Sequence, residues 1–184
     1  MPLKSSFCYS VALATVATAT LAPVASAATF NFSFGNVTGP VSGTVQGTLT
    51  LPDGDGTNLA ATSLIVTSAP SALGYTFPFN VLANFTANVP ANSFTVSGGV
   101  ITASSFAAQN NADILALNYF PGSLGNTFSV KGGASIFTGV LDVNSTTLTY
   151  SPAAPTTVPE PATVLGLLSV AGVGLLCKGR KLEK

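Results

Sequence analysis

The sequence predicts an all-β exported domain, an antiparallel β-sandwich or jelly roll, set between two ends outside the fold: a cleaved signal peptide and one C-terminal transmembrane helix. Three observations lead there. Short runs through the middle of the chain alternate apolar and polar side chains. Gly- and Pro-containing turns separate those runs. The 184 residues are 47% hydrophobic but only 7% charged, where an average globular chain has roughly 25% charged residues. Six basic and six acidic side chains cancel, leaving no net field to attract nucleic acid.

The central domain is read as residues 28–151. Phe30, Phe32 and Phe34 alternate with Asn31 and Ser33. Over 41–51 the odd positions are Val, Gly, Val, Gly, Leu and Leu, and the even ones Ser, Thr, Gln, Thr and Thr. One apolar face and one hydroxyl face mark a half-buried antiparallel strand. Further strands are expected at 64–67, 75–82, 85–89, 94–96, 100–103, 114–120, 127–130, 136–141 and 146–150. A hairpin across Gly98-Gly99 is the clearest local pairing. Both cysteines, Cys8 and Cys177, lie in the terminal segments, so packing and hydrogen bonds must hold the domain without a disulfide.

The N-terminal segment, 1–27, reads as a secretory signal: Lys4, an uncharged stretch over 7–21, then Ala25-Ser26-Ala27 with the cut before Ala28. An uncut N-terminal anchor would need a longer apolar stretch. At the other end, Pro152 and Pro155 mark residues 152–158 as a stiff linker. Pro159-Glu160-Pro161 follows, then an apolar run over 162–177 and the basic residues Lys178, Arg180 and Lys181. The run would make a transmembrane helix of about 24 Å, short of a roughly 30 Å hydrocarbon core but within the range that thinning and snorkelling accommodate. The basic tail would stay cytoplasmic. The two prolines flanking Glu160 keep that segment extended, the form a protease accepts.

Little chemistry is offered between the ends. The chain has no histidine, so Ser-His-Asp and Cys-His arrangements are absent. Asp53, Asp55, Asp113 and Asp142 are the domain's only carboxylates and Lys131 its only cation. Asp113 and Asp142 are expected to be solvated, at strand ends or turns. No enzyme activity and no cofactor are expected. Asp53 and Asp55 are weak calcium candidates, although an Asp-Gly turn between strands explains them more simply. Tyr75, Tyr119 and Tyr150 are expected to be the more exposed rings, and a sugar-binding platform would need them on one sheet face.

Pro-Glu-Pro, a short apolar helix and a basic end resemble the PEP-CTERM sorting signal of exported bacterial proteins. The resemblance implies that Pro159, Glu160 and Pro161 form the motif recognised by exosortase, a membrane protease-transpeptidase. Signal peptidase would be the other processing enzyme. More loosely, stretches such as 43–48 and 94–102 resemble cyanobacterial PEP-CTERM ectodomains, which brings no activity with it. The expected course is an inner-membrane-anchored precursor, then a non-enzymatic protein of the cell surface or matrix contacting exopolysaccharide or its own copies. The alternatives are a carbohydrate-binding surface module and a permanently anchored single-pass protein.

Overall fold

The computed structural model describes residues 27–154. These form two antiparallel sheets. The strands are β1 (Ala27–Gly35), β2 (Thr44–Pro52), β3 (Gly56–Leu59), β4 (Ser63–Ser68), β5 (Phe79–Asn80), β6 (Asn88–Ser97), β7 (Val100–Asn110), β8 (Asp113–Tyr119), β9 (Gly125–Phe128), β10 (Val140–Asp142) and β11 (Thr149–Pro152). The first sheet has the order β11-β1-β2-β4-β5 and the second β10-β9-β8-β7-β6-β3. A single 3-10 turn (Ser71–Leu73) and the four-residue helix α1 (Val81–Asn84) link β4 to β6. Among the described residues no helix is long and apolar enough to cross a membrane. The expected helix at 162–177 lies outside them, as does the signal segment up to residue 26.

Alternation decides what is buried. Phe30, Phe32 and Phe34 of β1 face inward with Val45, Leu49 and Leu51 of β2, and all are almost fully buried. Phe94, Phe106, Leu115, Leu117 and Phe128 meet them from the second sheet. Fully burying a large apolar side chain stabilises the fold by about 1.5–3 kcal/mol, and this core is built from many. Gly47 shows how closely β1 and β2 fit. It pairs with Phe32, and a Cβ there would collide with the Phe32 ring and the Ile65 carbonyl. Phe32 thus lies over the gap that Gly47 leaves.

The Gly98-Gly99 hairpin forms as expected: Ser97 pairs with Val100, and both glycines have positive φ, 60° and 73°, as a two-residue type I′ turn requires. Elsewhere the backbone departs from the reading. Residues 75–82 are not one strand, since only Phe79 and Asn80 pair with β4. The Phe77-Pro78 peptide is cis, Pro78 has no N–H to offer a ladder, and the Asn80 side chain accepts the Ala83 N–H at 3.0 Å to start α1. The apolar alternation still reports the interior, because Tyr75 and Val81 are buried. Of 136–141 only the end becomes β10. Ile136 packs instead on the outer face of the second sheet, against the cluster of Ala107, Ile114 and Ala116. Residues 56–59, outside the expected strands, form an edge strand beside β6.

Replacing Gly47 by alanine should lower the unfolding free energy by about 1–3 kcal/mol through overpacking. Gly35→Ala, where a Cβ meets nothing within 4 Å, should stay within about 0.5 kcal/mol. Urea unfolding of the two variants beside wild type checks both.

Candidate functional site

The outward positions of β11, β1, β2 and β4 make one continuous polar face. Register places Ser151 beside Asn31, Asn31 beside Thr48 and Thr48 beside Ile65. The next row joins Thr149, Ser33 and Gln46, and a third joins Thr29, Thr50 and Ser63. Hydroxyls and amides supply nearly all of it, and these positions hold no formal charge. A shallow cleft of about 320 Å³ opens on this face, its lining including Asn31, Ser33, Gln46, Thr67, Thr149 and Ser151. The hydroxyl face anticipated for 41–51 is one part of this surface. Its neighbours Asn31, Ser33, Thr149 and Ser151 join it only through strand order.

A polar network between the sheets holds that face in place, and Asp142 is its centre. Asp142 is fully buried, contrary to the solvated role expected of it. Its Oδ2 accepts the Thr147 N–H and Oγ1–H, each at 2.7 Å, and the Asn126 Nδ2–H at 3.2 Å. Its Oδ1 accepts the Thr146 hydroxyl at 3.2 Å. Thr147 Oγ1, its one proton given to Asp142, in turn accepts the Gly35 N–H at 3.0 Å. On the other side Asn126 Oδ1 accepts the Asn118 N–H, Asn118 Nδ2 donates to the Ser104 carbonyl, and the Tyr150 hydroxyl donates to Ser104 Oγ at 2.9 Å. The second sheet is therefore wired to β1 and β11 of the first. Burial is the largest single influence on the Asp142 carboxyl and pushes it up. The bonds from Thr147 and Thr146 together outweigh burial and hold it below the usual carboxylate range. The signal in the sequence is short polar chemistry just past a strand end, Asp142 followed by Thr146 and Thr147, the kind that turns use to bind backbone.

Other predicted positions separate. Asp55 takes the Gly98 and Gly99 N–H groups on its two oxygens at 2.7 and 3.1 Å, so it clamps the hairpin, and those bonds lower its carboxyl. Asp113 accepts the Gly132 N–H at 2.6 Å. Among the described residues no three metal-ligating side chains gather. The three tyrosines do not form a platform. Tyr75 is buried and stacked on Phe128 at 4.4 Å, and burial, with Asp113 adding to it, pushes its phenol up. Tyr150 is tied to Ser104, and burial pushes its phenol up as well. Tyr119 lies half-buried at 4.3 Å from Phe120, a ring that is 63% exposed. Tyr75 and Tyr150 are core pieces, while Tyr119 packs on the outer cluster of Ala107, Ile114 and Ala116.

The domain's two ends meet. Ala27 and Ala28 open β1 and pair with Pro52 and Leu51. Pro152, read as the start of the linker, pairs with Phe30, and the Ala153 N–H donates to the Thr29 carbonyl at 2.8 Å. Ala25 and the positions Pro159, Glu160, Pro161, Lys178, Arg180 and Lys181 lie outside the described residues. Comparison with known sequences places a PEP-CTERM protein-sorting motif at residues 157–181. No curated protein and no solved structure matches the chain.

Asp142→Ala would leave the Thr147 amide and Asn126 Nδ2 without their acceptor, costing about 2–4 kcal/mol at neutral pH. Because the folded carboxyl is lowered, its stabilisation is complete above the ordinary value of about 3.9 and is lost as pH falls through the folded value. The gap between wild type and variant should therefore shrink below about pH 4. Chemical denaturation at a series of pH values measures it.

Proposed function

We propose that this chain, which carries the PEP-CTERM motif of exported proteins sorted by exosortase, is a non-enzymatic component of the cell surface or extracellular matrix whose polar sheet face contacts neutral polysaccharide. The observation that carries the reading is that face: four strands of uncharged hydroxyl and amide groups, without the carboxylates or cations an ionic partner would need. Sugar hydroxyls pair with such groups at little electrostatic cost. The non-enzymatic reading is supported by the fate of the aspartates. Asp55, Asp113 and Asp142 each accept backbone N–H groups within the fold, where they act as structural clamps.

On this reading signal peptidase removes 1–27, and the 162–177 helix holds the precursor in the inner membrane. Exosortase then acts near Pro159, Glu160 and Pro161. The β1–β11 pairing brings both processed segments out of the same end of the domain.

The test is co-sedimentation of the exported protein with matrix polysaccharide from its own cells, comparing wild type with Asn31→Asp/Gln46→Glu. Both positions are exposed, so the fold should be kept while two amide donors are lost and two charges enter. Retention should fall several-fold. Equal retention of the two proteins, or no retention of wild type at any ionic strength, would overturn the polysaccharide role.

A further inference from the structure

The end of the sandwich where the chain enters and leaves holds a cleft of about 370 Å³, lined by Ala27, Ala28, Asp53, Asp55, Val96 and Pro152 among others. The carboxylates in it differ. Asp55 is committed to the Gly98 and Gly99 amides, whereas Asp53 has no hydrogen-bond partner among the described residues. The only formal cation of the described residues, Lys131, is not among the residues lining this cleft. Register puts Asp53 one step past the Pro52–Ala27 pair. That last rung is a non-hydrogen-bonded pair: Thr50 turns its carbonyl to Thr62 and Thr29 turns its own to Ala153, so Pro52 and Ala27, in the same phase, face away from each other and Ala28 pairs with Leu51. A chain beginning at Ala28 therefore keeps the stronger part of the β1–β2 ladder.

We propose that signal cleavage completes this end of the fold: the α-ammonium created at Ala28 sits in the cleft and pairs with the Asp53 carboxylate. The cut adds water across the Ala27–Ala28 peptide. Ala27 departs with a carboxylate, and the proton balances on the Ala28 amine, which is mostly charged at neutral pH. The uncut precursor has a neutral amide at that point and no such partner for Asp53. The ion pair fixes the first residues of β1, the strand that also seats β11 through Phe30 and Pro152. This inference rests on the export reading, since it needs the N-terminus that signal peptidase would leave.

The test is a two-by-two comparison on the mature exported protein, with its N-terminus identified by mass spectrometry. One change converts the terminal amine to a ketone by selective transamination, and the other is Asp53→Asn. Each alone should lower the melting temperature by about 1–3 °C, as expected for a largely exposed ion pair. Both together should cost no more than one, and about 0.5 M salt should abolish the difference. Additive losses, or no loss on removing the amine, would overturn the proposal with the export reading intact. A mature chain that still begins at Met1 would instead overturn the export reading and this inference with it.

Discussion

The structure depends first on β1. It is the strand of the first sheet that pairs with both β2 and β11, and its Phe30, Phe32 and Phe34 fill the centre of the core. Its start lines a cleft with Val96 and Gly99 of the second sheet. Just past its end, Asn36 accepts the Leu141 N–H at 3.0 Å, and the Val37 N–H donates to the Leu141 carbonyl. One strand thus reaches from the β6–β7 hairpin to β10. Losing β1 would remove the partner of β11, the middle layer of phenylalanines and the anchor of the polar network together.

With no cysteine, and one cation among the described residues, the domain is fastened by carboxylates that bind amides. Asp55 closes the β6–β7 hairpin, Asp113 holds Gly132, and Asp142 gathers Thr147, Thr146 and Asn126. Hydrogen bonds to an ionised acceptor are roughly twice as strong as neutral ones. Of the three, only Asp142 is buried, and the clamping bonds of Asp55 and Asp113 lie exposed to solvent. This arrangement also removes charge from the outer face of the first sheet, leaving it to hydroxyls and amides.

Much of this was legible in the residues. The alternation over 30–34 and 41–51 identified the inward side chains, and Gly98-Gly99 located the hairpin, because both signals are local. Residues 75–82 misled: their odd positions do point inward, but Pro78 and the Asn80 cap divert the backbone from a strand. Asp142 was hidden for a different reason. A lone aspartate at a strand end looks solvated until strand order brings Thr147, Asn126 and Gly35 around it. Tyr75 and Tyr150 were misjudged likewise, since a phenol can be buried once its ring packs and, for Tyr150, once Ser104 takes its proton donor. The PEP-CTERM motif was legible because it is a linear signal that no folding partner has to complete.

The β1–β11 pairing brings the two ends of the domain side by side. The direct measurement is the intact mass of the protein from its native cells, with membrane and extracellular fractions kept apart. The account predicts a species that begins near Ala28 and ends near Pro159 to Pro161, recovered outside the inner membrane. A protein intact through Lys184 and confined to membranes would contradict it.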